Sequence, residues 1–254
     1  LKVISDASGW RRLSKNGLAG VRRHYSWTAH AERYMQAIRP LLEAVEPPPR
    51  APLQQRRAHL YRDRAIFSDL DQNLLGDPDS LADFIDLVRA HRKQASVGIV
   101  TGRRLDSALA VMRRYGIPRP DVLITALGTE IYYAPQLTQD HAWTRHIDYL
   151  WYPRRVRDAL QGLPGIERQP NREQSRFKVS FYIDPEHAPC LEELGSLLHQ
   201  QDLTVHLNLS FGQFLDVVPV RASKGLALRY VADQWRIPLE HCLAAGGSGA
   251  DEDM

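Results

Sequence analysis

Ala65-Ile66-Phe67-Ser68-Asp69-Leu70-Asp71 is a short apolar run that ends in two acids two residues apart. The run predicts a buried strand, so the acids would follow its carboxyl end. Two carboxylates at such a place could act as nucleophile and general acid/base, and could also hold a divalent cation. Because Asp and Asn are common turn formers, a plain turn is the favoured interpretation of this pair taken alone.

Strand-like and helix-like segments alternate after this first run. Helical stretches begin after Pro78 and at Leu105, and each is followed by an apolar run, at residues 97–100 and 122–124. This alternation predicts an α/β fold with a Rossmann-like parallel sheet covered by helices. Ligand sites in such sheets lie beyond the carboxyl ends of the strands. The residues after each apolar run are therefore the candidates for function.

The pattern changes between about residues 127 and 219. Three apparent strands and one helical stretch occupy this part, at residues 177–183, 205–209, 214–218 and 186–200. We interpret it as an inserted α+β cap. The parallel-sheet pattern then resumes with a helix over residues 222–235 and a last strand at Cys242–Ala245.

Three further motifs lie where a strand ends or a helix begins. Thr101-Gly102 suits a phosphate, although a Thr N-cap explains it about as well. Lys224 could contact both a phosphoryl oxygen and the carboxylate of Asp69, although a lone Lys at a helix start is usually a solvated charge. The acids within residues 246–253 suit a metal that prefers oxygen ligands. Four such motifs in order predict a phosphoryl-transfer site.

Composition argues against several other classes of protein. The hydrophobic content of 43% is ordinary for a globular protein. Cys190 and Cys242 have neither metal-ligand nor redox spacing, so we expect a reducing, cytoplasmic setting. No apolar run approaches the roughly 18 residues that span a bilayer, and no signal peptide is recognised. Basic residues are in excess over the first 68 residues, but no groove-reading motif accompanies them, so no nucleic-acid partner is expected.

The ordered motifs resemble the haloacid dehalogenase superfamily. Five stretches narrow the resemblance to sucrose-phosphate phosphatases: Ser68-Asp69-Leu70-Asp71, Val100-Thr101-Gly102-Arg103, Gly128-Thr129-Glu130-Ile131, Leu215-Asp216-Val217-Val218-Pro219 and Ala222-Ser223-Lys224-Gly225. The resemblance covers about residues 64–254. It implies a haloacid dehalogenase core with an inserted cap, and a sugar phosphate as the ligand.

The resemblance also implies a role for each matching position. Asp69 would be the nucleophile that forms an aspartyl phosphate, and Asp71 would protonate the leaving sugar oxygen and later activate water. Candidates for the phosphoryl group are Thr101, Gly102 and Lys224, and candidates for Mg²⁺ are Asp69, Asp71 and Asp251. Further candidates, for the sugar, are Gly128, Thr129, Glu130, Lys178, Asn208 and Ser210. Period-two alternation also explains Lys178 as an outward-facing strand residue.

Departures from the family pattern bear on activity. The first motif normally ends in Thr, where this chain has Asn73. The last motif normally reads Gly-Asp-Ser-Gly-Asn-Asp, but here Gly247 replaces the first Asp and Ala250 replaces the Asn, so that Asp251 alone survives. The missing Asp is the family's direct magnesium ligand, and glycine offers no carboxylate. We therefore expect weak binding of Mg²⁺ and slow turnover.

The first segment has a different resemblance. Lys15-Asn16-Gly17-Leu18 and His24-Tyr25-Ser26-Trp27, with His30, are similar to the end of the retaining, two-Rossmann glycosyltransferase domain of sucrose-phosphate synthases. A helical period over residues 28–45 fits such a tail, although an amphipathic helix with satisfied aromatics would also explain it. The predicted organisation is a glycosyltransferase tail at residues 1–46, a Pro-, Gln- and Arg-rich linker at 47–63, and the phosphatase-like domain at 64–254.

Together the resemblances imply the carboxyl-terminal part of a sucrose-phosphate synthase, with its phosphatase-like domain incomplete. Such an enzyme transfers glucose from UDP-glucose to fructose 6-phosphate, and the glycosyltransferase domain upstream would be a partner of this segment. Three hypotheses stay open. The phosphatase-like domain could bind sucrose 6-phosphate, or regulate the synthase, without efficient hydrolysis. It could instead be a working magnesium-dependent phosphatase, or act on another sugar phosphate.

Overall fold

The computed structural model describes residues 6–44, 62–247 and 249–254. The chain divides into two compact units between residues 57 and 58. The predicted linker lies almost wholly outside the described residues. Among the described residues, no helix has the length and apolar character needed to cross a membrane.

The first unit contains two helices, α1 (Ala7–His24) and α2 (Trp27–Ala44). The Asp6 side chain accepts a hydrogen bond from the Ser8 amide at 3.0 Å, which caps the start of α1. α2 agrees with the helical period over residues 28–45, whereas the sequence patterns did not predict α1. α1 is described in full and has no buried residue.

The second unit is built on a six-stranded sheet in the order β10-β1-β2-β3-β4-β5. Its strands are β1 (Arg64–Ser68), β2 (Ala95–Val100), β3 (Val122–Thr125), β4 (Glu130–Tyr133), β5 (Thr138–Gln139) and β10 (Cys242–Ala245). β10, β1, β2 and β3 are parallel. The predicted α/β class is therefore confirmed.

Helix α3 (Pro78–Ala90) connects β1 to β2, helix α4 (Leu105–Arg114) connects β2 to β3, and helix α8 (Lys224–Trp235) precedes β10. β2 is buried along nearly its whole length, as expected for a strand covered on both faces. A Cβ at Gly98 would lie 2.4 Å from Cδ1 of Phe67 on the neighbouring strand. The glycine therefore makes room for the ring of Phe67.

The hairpin of β4 and β5 corrects the predicted cap boundary. It lies within residues 127–219, yet β4 pairs antiparallel with β3 and so extends the core sheet. The chain reverses directly after β3 at Ala126, Leu127 and Gly128, which all have positive φ. Because Ala and Leu rarely adopt positive φ, their sequence carries no turn signal.

The cap contains a four-stranded antiparallel sheet in the order β6-β7-β9-β8. Its strands are β6 (Ile166–Arg168), β7 (Val179–Ile183), β8 (Val205–Ser210) and β9 (Phe214–Pro219), and the helices of this part are α5 (His141–Ile147), α6 (Pro153–Leu160) and α7 (Leu191–Gln200). Buried residues of α6 and α7, such as Leu160 and Leu194, share one apolar cluster with Phe181 and Leu215. Apolar packing therefore covers one face of the cap sheet.

Candidate active site

A buried lysine joins two carboxylates at the carboxyl end of the parallel sheet. The Asp69 amide donates to the carbonyl of Ala245 at 2.8 Å, which fixes Asp69 just beyond β1. Lys224 Nζ donates to Asp69 Oδ1 at 2.8 Å and to Asp251 Oδ1 at 2.5 Å. All three side chains are at most 5% exposed. Each buried charge thus has a close partner, as burial of charge requires.

The loop after β10 holds Asp251 against this lysine. Its second oxygen, Oδ2, accepts from the Gly247 amide at 3.1 Å. A Cβ at Gly246 would lie 2.4 Å from the Cβ of Asp251, so the loop passes very close to this side chain. Asp253 Oδ1 accepts from the Gly225 amide at 3.0 Å, which places a carboxylate at the first turn of α8.

Asp71 is held by Arg103 in a two-point ion pair. Arg103 Nε lies 2.8 Å from Asp71 Oδ1 and 2.9 Å from Oδ2, and Nη2 lies 2.5 Å from Oδ1. The hydrogen bond to Asp71 raises the pKa of the Arg103 guanidinium above its usual value. The pair is about one-third exposed on both sides. Asp71 is therefore the acceptor in each of these hydrogen bonds.

Thr101 lies fully buried at the end of β2. Its amide donates to the carbonyl of Ile124 at 2.9 Å, and its Oγ1 accepts from the Arg103 amide at 3.2 Å. The next residue, Gly102, lines the cavity described below. Thr101 thus shapes the turn that carries Arg103.

One cavity of about 860 Å³ lies between the core sheet and the cap. Its basic side chains are Lys224, Arg103, Arg104, Arg172 and Lys178, and its acidic side chains are Asp69, Asp71, Asp106, Glu173 and Asp216. Ser210, Gly102 and Ala250 also line it. The structure therefore brings together Asp69, Asp71, Gly102, Lys224, Lys178 and Ser210 from the predicted set.

The cap contributes a buried polar cluster to this cavity. Lys178 Nζ donates to Ser180 Oγ at 2.8 Å and to Asp216 Oδ1 at 3.0 Å, and Ser180 Oγ also hydrogen-bonds Asp216 Oδ1. Lys178 is only 5% exposed, so it is not the outward-facing strand residue that simple alternation allows. Asp216 compensates the charge of this buried ammonium.

Four residues predicted for the sugar are not among the described residues that line the cavity. Gly128 has φ of +84° and packs against the backbone of Ser223, while its carbonyl accepts from Trp143 Nε1 at 2.9 Å. Thr129 Oγ1 donates to the carbonyl of Ala126 at 2.9 Å.

The other two are Glu130 and Asn208. Glu130 Oε2 accepts from Thr125 Oγ1 at 3.0 Å and from the Tyr132 hydroxyl at 3.2 Å. Asn208 pairs with Asp216 across β8 and β9. Gly128, Thr129 and Glu130 serve the turn or the core sheet. As the cross-strand partner of Asp216, which lines the cavity, Asn208 lies on the cavity face of the cap sheet and stays a prediction for the sugar.

The predicted magnesium ligands are engaged elsewhere. Asp69 and Asp251 both bond Lys224, and Asp71 bonds Arg103. Within the described ranges there is no group of three or more His, Cys, Asp or Glu side chains placed to hold a metal ion. Gly247 adds no carboxylate. The residues present therefore do not fit a magnesium centre in this arrangement, and the metal set of Asp69, Asp71 and Asp251 stays a prediction.

Sequence reasoning missed several side chains of the cavity. Arg104, Arg172 and Asp216 bring charge, and Tyr182, Phe211 and Phe214 bring aromatic surface. A signal for part of this set was present, because period-two alternation along β9 puts Phe214 and Asp216 on one face. Nothing in the local sequence marks Arg172, because it is the fold of the cap that brings this residue to the cavity.

A parallel core sheet that carries Asp69, Asp71 and Lys224 at its carboxyl end, beneath an α+β cap, defines a haloacid dehalogenase-like hydrolase. Residues 62–254 match the family model described as sucrose-6F-phosphate phosphohydrolase, and the chain belongs to that family. The crystal structure of the sucrose-phosphatase from Synechocystis, in complex with sucrose and phosphate, superposes with a TM-score of 0.71 at 27% identity, covering 75% of this chain and 78% of that one.

Three curated relatives extend the comparison. Mannosylfructose-phosphate phosphatase of Agrobacterium fabrum is 28% identical over 193 residues, which is 75% of this chain and 78% of that protein. Probable sucrose-phosphatase 3b of Arabidopsis thaliana is 32% identical, covering 74% of this chain and 47% of its own length. Probable sucrose-phosphate synthase 2 of rice is 27% identical over 99% of this chain but only 29% of its own length. The chain thus spans less than half of either plant protein.

Proposed function

We propose that residues 62–254 form a phosphatase-like domain that binds sucrose 6-phosphate, or a closely related sugar phosphate, and hydrolyses it poorly, within a sucrose-phosphate synthase. The observation that carries this proposal is the engagement of Lys224 with both Asp69 and Asp251 beside a glycine at position 247. The phosphate end of the site is retained, but a carboxylate for the metal is missing.

Binding is supported by the charges of the cavity. Lys224, Arg103 and Arg104 come from the core side, and Arg172 comes from the cap. Guanidinium groups suit phosphate oxygens because they donate in a planar fork. The Synechocystis relative in complex with sucrose and phosphate supports a ligand of this chemical class.

Weak hydrolysis follows from the state of the two acids. As nucleophile, Asp69 would attack phosphorus and form an aspartyl phosphate, and the sugar oxygen would leave with a proton from Asp71. Asp71 instead accepts hydrogen bonds from Arg103, so this ion pair would have to open before Asp71 could act as the acid. Asp69 would also face an anionic substrate without a metal ion to screen the repulsion, and the cation bonded to it, Lys224, is shared with Asp251.

The parent enzyme is supported by the rice synthase, which aligns with 99% of this chain, α1 and α2 included. In that parent, transfer of glucose from UDP-glucose to fructose 6-phosphate would belong to the glycosyltransferase domain. Sequencing the reading frame upstream of Leu1 tests this part, and absence of a glycosyltransferase sequence there would contradict it.

The test of the site measures phosphate release and calorimetric binding on the same preparations. We expect the native chain to bind sucrose 6-phosphate and to release almost no phosphate with excess Mg²⁺, whereas Gly247→Asp gains turnover. Gly249→Asp is the matched control, because a Cβ there meets no atom within 4 Å and the acid is added two residues away.

Native turnover that Asp69→Asn abolishes would contradict the proposal. It would establish the alternative, an active magnesium-dependent sucrose-6-phosphate phosphatase domain of a bifunctional enzyme. A parallel panel of sugar phosphates, mannosylfructose phosphate included, tests whether another ligand binds more tightly.

A further inference from the structure

The short turn that follows β10 contacts the first turn of α8 at two neighbouring points. Asp251 Oδ1 accepts from Lys224 Nζ at 2.5 Å, and Asp253 Oδ1 accepts from the Gly225 amide at 3.0 Å. Two successive residues of the helix therefore bond two alternate residues of the turn. We call residues 249–253 the acidic turn.

The approach of Asp253 to Gly225 is very close. A Cβ at Gly225 would lie 1.8 Å from the carbonyl oxygen of Asp253 and 2.8 Å from its Cγ, so only glycine lets the helix and the turn meet here. The Gly225 amide belongs to the first turn of α8, where N–H groups have no partner within the helix. Asp253 satisfies this donor and puts negative charge at the positive end of the helix.

This contact fixes the backbone in a way that the neighbouring ion pair does not. Lys224 reaches Asp251 through a flexible four-carbon stem, so that bond alone leaves the distance between helix and turn variable. The bond of Asp253 goes directly to a backbone N–H. It therefore sets the position of the acidic turn against α8.

The position of the turn matters for the phosphate end of the site. Lys224 is covalently next to Gly225 and bonds both Asp69 and Asp251. Ala250, in the same turn, lines the cavity. A shift of the turn along α8 would therefore move Asp251 away from Lys224 and change the wall of the cavity.

We infer that Asp253 is a positioning residue, which holds the acidic turn against α8 without a metal ion and so keeps Lys224 in place for a phosphate. Position 247 offers no carboxylate through which a metal could hold this part of the chain. Asp253 is not among the described residues that line the cavity, so its effect on binding passes through Gly225 and Lys224. The role of Lys224 towards phosphate rests on the proposed function, whereas the contact between turn and helix does not.

The first measurement is amide hydrogen exchange of the full chain without ligand, followed by NMR. We expect Asp253→Ala to speed exchange of the Gly225 amide by about tenfold to a hundredfold, because the lost bond has a charged acceptor. Asp253→Asn keeps a side-chain oxygen as acceptor and should preserve most of the protection. Glu252→Ala is the matched control, since it removes the same charge from the adjacent, exposed residue. The native rate should be equal in Mg²⁺ and in EDTA.

Titration calorimetry with inorganic phosphate measures the consequence for the site. We expect Asp253→Ala to weaken phosphate binding by about tenfold, the order of one hydrogen bond to a charged group, and Asp253→Asn to restore it. A purely electrostatic effect would have the opposite sign, because removal of a negative charge favours an anion. Glu252→Ala reports the size of that electrostatic effect.

The two measurements separate this inference from the proposed function. Unchanged exchange of the Gly225 amide in Asp253→Ala would overturn the inference, and so would native protection that is lost in EDTA. Faster exchange in Asp253→Ala, in a native chain that binds no phosphate, would support the hold on the turn and contradict the proposed function. Asp253 is exposed, so its truncation removes no buried packing.

Discussion

At the scale of single residues, Lys224 is the most constrained group of the site. It is buried, charged and bonded to Asp69 and Asp251 at once. Removal of one partner from a buried ion pair is far more harmful than replacement of the whole pair. Lys224 therefore stabilises the fold as well as the site.

The first prediction follows from this pairing. We expect Lys224→Met to lower the free energy of unfolding by about 3–5 kcal/mol at neutral pH, because Asp69 becomes a buried carboxylate without its cation. Urea denaturation measures this loss of stability, and Lys93→Met, at an exposed position, is the control. Because protonation neutralises the carboxylate, the deficit should shrink at low pH. A deficit independent of pH would contradict the electrostatic cause.

The second prediction concerns Tyr132. Burial, followed by the negative charge of Glu130, raises the pKa of its hydroxyl far above the usual value. A raised folded-state pKa gives stability that is complete below the unfolded pKa of about 10 and is lost as pH rises above it. Tyr132→Phe should therefore flatten the alkaline loss of stability in thermal melts at increasing pH. An equally steep loss in the variant would contradict this cause.

Single residues also show what sequence motifs cannot predict. The sequence motifs correctly predicted that Asp69, Asp71 and Lys224 would lie at one edge of the sheet. They could not show that Arg103 binds Asp71, because that contact depends on how the loop after β2 folds back. Pairing between side chains that are distant in the sequence depends on the folded structure, so no fixed residue spacing reveals it.

At the scale of elements, the turn in which the chain reverses after β3 links the core sheet to the candidate site. Gly128 sits with positive φ where a Cβ would lie 2.0 Å from the Ser223 carbonyl, directly before α8 begins. The close approach sets the start of α8, and hence the position of Lys224. Apolar runs predicted β1, β2 and β3 well, whereas this turn and α1 had no recognised signal.

The third prediction uses two glycines of similar conformation. Gly116 also has positive φ, at +69°, but a Cβ there meets no atom within 4 Å. Gly116→Ala should therefore lose about 1–2 kcal/mol from backbone strain alone. Gly128→Ala should lose a further ~1–3 kcal/mol from overpacking, and should weaken phosphate binding. Equal stability losses in the two variants would exclude the steric contribution.

At the scale of the whole molecule, one hydrogen bond joins the carboxyl end of the core sheet to the cap. Arg104 Nη1 donates to the carbonyl of Arg172 at 2.9 Å. Arg104 follows β2, and Arg172 lies in the short turn before β7. The bond therefore helps to hold the cap over the cavity.

The fourth prediction tests this contact. We expect Arg104→Ala to speed amide hydrogen exchange around residues 171–180, with little change in global stability, because a single exposed bond contributes about 1 kcal/mol or less. Arg119→Ala is the matched control, because Arg119 Nη1 donates a similar hydrogen bond, to the Pro135 carbonyl at 2.8 Å, away from the cavity. Unchanged exchange in the cap would show that other contacts hold it.

Gly247, whose amide donates a hydrogen bond to Asp251, is also close to aspartate in the genetic code. Glycine and aspartate codons that end in a pyrimidine differ by one base. From such a codon, a single substitution puts a carboxylate beside Asp251. The missing carboxylate at position 247 is thus one base change away from being restored without rebuilding the fold, whereas Ala250 would still stand where the family pattern has Asn.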